Sequence, residues 1–250
     1  MKSGLVSIIT PSYNCGRFIA ETIESVLAQT YRNWELIIVD DCSTDDTQEI
    51  VERYMTRDPR IRYHRLAANS GAAVARTEAM RMAEGEYMAF LDSDDLWMPD
   101  KLKLQLDFMK SNGYAFTCTS YEQISEDSEP TGRIVRSVPK TDRRRLLLDC
   151  PVGNSTVMYD VSAMGKFEVP DIRKRNDDAL WLRMLRKEKY IRGMPDVLMR
   201  YRIRGGSISG NKLALVKYHW ILYRKIERMN VFSSVFHICW WGFLKVFRIK

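Results

Sequence analysis

Three carboxylates stand together in Asp92-Ser93-Asp94-Asp95, directly after the apolar run Tyr87-Met88-Ala89-Phe90-Leu91. The run reads as a buried strand. Acids crowded at the mouth of such a strand repel one another unless something positive sits among them. An Asp-x-Asp there can share a hard divalent cation, and the cation in turn can hold a diphosphate. A second acidic pair, Asp40-Asp41, closes the run Leu36-Ile37-Ile38-Val39, and a third, Asp177-Asp178, opens a helical pattern. Parallel strands put their carboxyl ends on one edge of a sheet, so the acids after these two strands face a common crevice. The chemistry this allows is work on a nucleotide-linked substrate.

Simpler readings of the same residues exist. A polar turn capping the helix that Pro99 opens accounts for Asp92 to Asp95 taken alone, because acids suit a helix N-terminus. The same dipole argument covers Asp177 and Asp178. A calcium loop of the EF-hand kind fails on spacing. Counting from Asp92, the sixth position is Trp97 where Gly is needed, and the twelfth is Lys103 where Glu is needed. A phosphatase of the haloacid dehalogenase type fits less well too, since Leu96 stands where that family wants Thr or Val.

The elements that must position these acids alternate. Leu5 to Ile9 is an apolar strand stopped by Pro11. Gly16 to Gln29 has helical spacing, and Leu36 to Val39 is the next strand. Ser43 or Thr44 caps a helix through Met55. Ile61 to Arg65, Tyr87 to Leu91 and Tyr114 to Ser120 read as strands, with helices over Ala72 to Met82 and Pro99 to Lys110 between them. This alternation predicts βαβ units and a mostly parallel sheet. Ser125 to Asp142, polar and proline-bearing, reads as a mobile loop. Beyond it, Ser155 to Tyr159 and Leu198 to Ile203 read as strands and Asp177 to Lys187 as a helix.

Composition bounds the answer. At 250 residues, with 45% hydrophobic and 28% charged residues, the chain suits a soluble globular protein with a real core. Its five cysteines are scattered with no Cys-x-x-Cys pair, which argues against a disulfide or zinc framework and for a reducing compartment. The apolar stretch before Pro11 is too short for a signal peptide, so the cytoplasm is the expected location. The net charge of +7 conceals an asymmetry. Residues 1–130 hold 13 Lys and Arg against 22 Asp and Glu, a net −9; residues 131–250 hold 26 against 10, a net +16. A basic back half expects an anionic partner, either nucleic acid or a membrane leaflet. No aromatic–basic interleaving of a nucleic-acid module is present, which excludes the first.

The ordered motifs resemble family 2 glycosyltransferases. They run Val6-Ser7-Ile8-Ile9-Thr10-Pro11-Ser12-Tyr13-Asn14, then Ser25-Val26-Leu27-Ala28-Gln29-Thr30-Tyr31 and Trp34 to Asp45. Asn69-Ser70-Gly71 with Ala75-Arg76, Phe90 to Asp95, and Asn176 to Arg183 complete the set. The resemblance covers nearly all of residues 4–210 and implies an α/β GT-A nucleotide-sugar-binding fold with a mostly parallel sheet flanked by helices. It also implies a donor-binding part over residues 1–124 and an acceptor and catalytic-base part over 125–210. A helical C-terminal segment is expected over 211–250.

Carried over residue by residue, the resemblance places Pro11 and Tyr13 at the nucleobase. Asp41 would accept a hydrogen bond from a base N–H, which suits uracil, and Arg76 would lie near the base and pyrophosphate. Asp92, with Ser93 beside it, would hold the ribose or a metal-bound water. Asp94 would hold the metal itself, Mn²⁺ or Mg²⁺. From the family's Glu-Asp pair, Asp177 stands in the first place and Asp178 would be the catalytic base. The expected reaction is inverting transfer from a UDP-sugar to a saccharide hydroxyl. The acceptor would be polyprenyl-diphosphate-linked, as in O-antigen, capsule or exopolysaccharide synthesis. An inactive nucleotide- or glycan-binding module of the same fold is the alternative.

One departure stands out. Many relatives carry His where Arg204 stands in Tyr201-Arg202-Ile203-Arg204-Gly205-Gly206-Ser207-Ile208-Ser209. Arg has no lone pair to give a cation but can pair with a diphosphate. Weak metal binding, resting on Asp94, follows. Substrate specificity is expected around Asn154, Ser155 and the loop from Ser125 to Asp142.

Val231 to Phe247 is aromatic and flanked by Arg224, Lys225, Arg228, Lys245, Arg248 and Lys250. It is shorter than a spanning helix, which needs about 20 apolar residues. Paired tryptophans beside lysines fit a helix lying in the membrane interface, on the inner face of the cytoplasmic membrane. Arg143-Arg144-Arg145 and Arg173-Lys174-Arg175 would then meet phosphates of the acceptor or the leaflet, or else form solvated loops.

Overall fold

The computed structural model describes residues 1–205 and 212–247. The front half runs β1 (Lys2–Ser12), α1 (Gly16–Leu27), β2 (Trp34–Asp40), α2 (Thr47–Met55), β3 (Ile61–Arg65), α3 (Ala72–Met82) and β4 (Gly85–Phe90). The middle holds β5 (Leu96–Trp97), α4 (Lys101–Asn112), β6 (Phe116–Ile124), β7 (Pro130–Val135), β8 (Lys140–Thr141) and α5 (Arg143–Leu148). A 3₁₀ turn at Asn154–Thr156 leads into β9 (Met158–Asp160) and α6 (Val161–Met164), followed by α7 (Asn176–Met184) and β10 (Ile191–Arg202). The chain closes with α8 (Lys212–Ile221), a π-helical turn at Leu222–Ile226 and α9 (Val231–Val246). Gly206 to Ser209 of the Arg204 motif, and Arg248 and Lys250 of the tail, lie outside the described residues.

One mixed sheet has the order β3-β2-β1-β4-β9-β6-β10-β5, with β7 on β6 and β8 on β10. The first four of these strands are parallel to one another. β9 then runs antiparallel to both β4 and β6. Period-2 alternation divides the core between the two faces. Ile9, Ile37, Val39 and Phe90 pack with α3 and α7 on one side. Ile8, Leu36, Ile38 and Leu91 pack with α1, α2 and α4 on the other. Phe90 meets Trp181 edge-to-face at 4.9 Å between ring centroids, so the strand that delivers Asp92 is locked to the helix that begins at Asn176.

Several boundaries differ from the sequence reading. β1 continues through Pro11 because the missing N–H falls where no bond is lost. Ile9 O faces β4 and accepts from Leu91 N, whereas Ser12 O faces β2 and accepts from Asp41 N. Pro11 therefore faces β4 beyond the end of that ladder. α2 starts at Thr47, since the Ser43 hydroxyl donates to Asp40 and the Asp45 carboxylate takes the Thr47 N–H instead. Ser125 to Asp142 is not a loop throughout. β7 folds back antiparallel on β6 as an exposed edge strand, where its polar residues and Pro130 are admitted.

Lys101 is fully buried in the core beside α4's contacts with the sheet. Its ammonium donates to Gln105 at 2.9 Å and lies 3.9 Å from the Trp97 ring centroid, and among the described residues no carboxylate pairs with it. Burial lowers its pKa to about 7. The unfolded chain therefore binds more protons between about pH 7 and 10, and Lys101's penalty shrinks as pH rises through that window. Lys101→Met should stabilise the protein by about 1–3 kcal/mol at pH 7, with the gain narrowing by pH 9.5. Urea midpoints of both proteins at the two pH values check this; a constant gap would refute the charge argument.

Candidate active site

The carboxyl ends of β1, β2 and β4 open on one edge, as the acids required. Pro11 is buried at the end of β1, and Tyr13 stands exposed at the crevice mouth. Asn14 ties this loop to the next: its N–H donates to the Ser43 hydroxyl at 2.8 Å, and its side-chain oxygen accepts from Thr44 N at 2.8 Å. Asp40 is fully buried and accepts from the Tyr63 hydroxyl at 2.7 Å, a structural role. Asp41 holds the start of α3, with Oδ1 accepting from Ser70 N at 2.6 Å and Oδ2 from Gly71 N at 2.8 Å. Gly71 sits at φ +92°, a backbone that a side chain would strain, so the Asn69-Ser70-Gly71 motif shapes this grip.

The Asp92 cluster is bound together by residues distant in sequence. Asp92 Oδ1 accepts from Arg76 at 3.0 Å and from Asn154 Nδ2 at 2.8 Å. Ser155 accepts from Asp92 N at 3.0 Å and donates to Asp95 at 2.6 Å. Asn154 and Ser155, expected to shape specificity, thus support the acids; β9's antiparallel entry into the sheet brings them there. Asp95 is buried and also accepts from Arg202 N at 3.0 Å. The Ser93 hydroxyl turns inward to the Cys15 sulfur at 3.0 Å. Asp94 remains at the crevice surface, paired through Oδ2 with Arg204 Nε at 2.8 Å.

Burial sets the electrostatics of this cluster. Burial pushes Asp92 up to about 6 against the pull of Arg76, with Asp94 and Asp177 adding repulsion. Burial likewise raises Asp94 against Arg204, and raises Asp95 far above the usual carboxylate range. A hard cation bound by one or two carboxylates and substrate phosphates suits such a set of oxygen donors. Among the described residues, no group of three or more His, Cys, Asp or Glu side chains could enclose a metal unaided. Asp94 and Asp92 could hold such a cation only together with oxygens of a bound phosphate.

The two acids that open α7 face different ways. Arg76 reaches across from α3 to the Asn176 side chain, joining the Asp92 cluster to the N-terminus of α7. Asp177 is half-buried, and its charge is among those that raise Asp92. Asp178 is buried and paired with Arg175 Nε at 2.8 Å, and burial raises it to about 6 against the pull of Arg175. Arg175 adopts a left-handed backbone, φ +64°, to make this turn. Arg175 and Asn176 were not legible in these roles, because the pairing depends on which side of α7 meets the sheet.

The sequence model described as "Glycosyl transferase family 2" matches residues 7–171. The chain belongs to that family. It is 44% identical over 230 residues to TuaG of Bacillus subtilis, a glycosyltransferase assigned to teichuronic acid biosynthesis, covering 92% of this chain and 91% of that one. It is 39% identical over 222 residues to WfgD of Escherichia coli, covering 88% of this chain and 85% of the relative. WfgD is named a UDP-Glc:alpha-D-GlcNAc-diphosphoundecaprenol beta-1,3-glucosyltransferase.

Solved structures show the same fold. S. aureus TarS 1–349 in complex with UDP-GlcNAc matches with a TM-score of 0.70 at 22% identity, over 87% of this chain and 65% of that one. The mannosyltransferase PcManGT from Pyrobaculum calidifontis, in complex with GDP-Man and Mn²⁺, matches with a TM-score of 0.66 at 18% identity, over 90% and 64%. The chain thus spans just under two thirds of these solved chains. The family and the GT-A-like α/β fold expected from the sequence are both borne out.

Proposed function

We propose that the protein transfers a sugar, with inversion, from a UDP-sugar to a saccharide hydroxyl on a polyprenyl-diphosphate carrier. It would serve surface-polysaccharide synthesis at the inner face of the cytoplasmic membrane. The observation that carries this reading is the bridge from Asp92 through Arg76 to Asn176, which joins the acidic strand end to the acids of α7. The names of WfgD and WfaP of Escherichia coli support the donor and the acceptor class. On this reading, residues 1–124 hold the donor and residues 125–210 supply the acceptor side and the base.

Pro11 and the exposed Tyr13 ring would line the nucleobase. Asp41 would accept the base N–H on the second lone pairs of oxygens that already receive Ser70 and Gly71. Asp94, with Asp92, would hold Mn²⁺ or Mg²⁺, which when bound stabilises charge on the departing diphosphate. Arg204 would leave Asp94 to pair with that diphosphate, as a guanidinium does well. Arg76 fixes the direction of Asp92 rather than opening to the substrate, since it is itself buried.

Of the two acids of α7 we propose Asp177 as the base, where the family resemblance implied Asp178. A general base must reach the hydroxyl it deprotonates. Asp178 is buried against Arg175, whereas Asp177 is only half-buried and its charge reaches Asp92. The acceptor oxygen would attack the anomeric carbon from the face opposite the diphosphate. The bond to the diphosphate breaks, UDP departs, and the hydroxyl proton passes to Asp177.

Acceptor-dependent release of UDP from a panel of UDP-hexoses, with Mn²⁺ or with EDTA, tests the function. Release that needs a lipid-diphosphate-GlcNAc acceptor and stops in EDTA is expected. UDP binding without release from any donor on any lipid-linked acceptor would favour an inactive module.

A further inference from the structure

The outward face of α9 is aromatic. Phe232, Phe236, Trp240, Phe243 and Phe247 follow one another at helical spacing and are exposed, Phe232 by 89% and Phe236 by 56%. From Phe236 onward the rings form a continuous run, with centroids 6.4 Å apart for Phe236–Trp240, 5.8 Å for Trp240–Phe243 and 4.5 Å for Phe243–Phe247. The opposite face is anchored: Ser234 and Trp241 are buried, and Trp241 packs on His219 of α8 at 4.5 Å. Scattered exposed apolar residues are ordinary, but a contiguous aromatic stripe marks an interaction surface.

Charge identifies what the stripe meets. Residues 197–250 hold eleven Lys and Arg and one acid, Glu227. Glu227 is itself buried between Arg143 and Arg186. α5 packs against α9 and carries Arg144 and Arg145, both exposed and without an ion-pair partner among the described residues. Lys225 and Arg228 are exposed on the approach to α9. Among the described residues no helix is long and apolar enough to cross a membrane, and α9 at 16 residues is about 24 Å long. An apolar aromatic face, cationic surroundings and insufficient length together describe a helix lying in a bilayer interface.

We propose that α9 inserts its Phe232–Phe247 stripe into an anionic leaflet while Arg144, Arg145, Lys225 and Arg228 contact lipid phosphates. α5 also packs against α7, so docking sets Asp177 near the membrane plane, where the saccharide of a lipid-linked acceptor emerges. That purpose rests on the proposed acceptor; the docking itself rests on the surface.

Co-sedimentation of the full chain with vesicles tests it. The protein should pellet with vesicles of equal parts phosphatidylglycerol and phosphatidylethanolamine and stay in solution with phosphatidylcholine alone. The triple variant Phe232→Gln, Phe236→Gln, Trp240→Gln should lose binding by about tenfold or more. Arg144→Glu with Arg145→Glu should weaken binding to the anionic vesicles. All replaced residues are exposed, so the unfolding midpoint and transfer to a water-soluble acceptor should not change. Equal binding by the triple variant, or no binding by the parent protein, overturns the proposal. So does a dimer that the triple variant converts to a monomer, since a second copy would then cover the stripe. A chain that binds vesicles but transfers to no acceptor upholds the docking and sinks the transferase reading.

Discussion

Asp177→Asn is expected to lower transfer by about a thousandfold while the Kd for UDP with Mn²⁺ stays within about twofold. Asparagine keeps the shape and the position at the start of α7 but cannot take a proton. On the proposed reading donor binding rests on Asp41, Asp92 and Asp94, and this change leaves their hydrogen bonds and ion pairs in place. Asp178→Asn should behave differently. It leaves Arg175 facing a neutral amide in a largely buried place, which costs about 2–3 kcal/mol of stability. Its transfer rate should fall by no more than about tenfold, through slack in α7 rather than loss of the base. Steady-state kinetics with thermal midpoints for both variants separate these outcomes. If Asp178→Asn were inactive and Asp177→Asn active, the base would be the buried acid, as the sequence first implied.

Asp94→Ala is the second large effect. Asp94 is the acid of the Asp92 cluster whose ion-pair partner among the described residues is Arg204, which on the proposed reading the diphosphate takes over. Removing it should abolish the gain in UDP affinity that Mn²⁺ brings and cost about 3–4 kcal/mol of transition-state stabilisation, some two to three orders of magnitude in turnover. Calorimetry of UDP with and without Mn²⁺ reads the first; UDP release reads the second. The companion change Arg204→His should tighten cation binding, because imidazole offers the lone pair that guanidinium lacks. Asp94→Ala with an undiminished Mn²⁺ effect would move the cation to other ligands.

The parts of the fold that were legible were those written locally. Ile8-Ile9 and Leu36-Ile37-Ile38-Val39 announce strands buried on both faces, and the acids that follow announce a shared edge. Less local features were hidden. β7 carries neither apolar alternation nor burial, so its pairing with β6 exists only because β6 offers a free edge. Asn154 lies 62 residues from Asp92 in the chain and reaches it because β9 enters the sheet antiparallel. The choice between Asp177 and Asp178 was hidden for a different reason. Neighbours on a helix point about 100° apart, and the packing of α7, with Trp181 on Phe90, leaves Asp177 half-buried and Asp178 buried. Arg204 was legible as a departure, and its partner Asp94 is the one the sequence implied should lose a ligand.

The central claim is direct displacement at the anomeric carbon by an acceptor hydroxyl whose proton goes to one carboxylate. The anomeric configuration of the product, read by NMR after transfer from an α-linked UDP-hexose to a lipid-diphosphate-GlcNAc acceptor, tests it most directly. A β linkage is the expected result. An α linkage would mean retention and contradict the single-displacement mechanism.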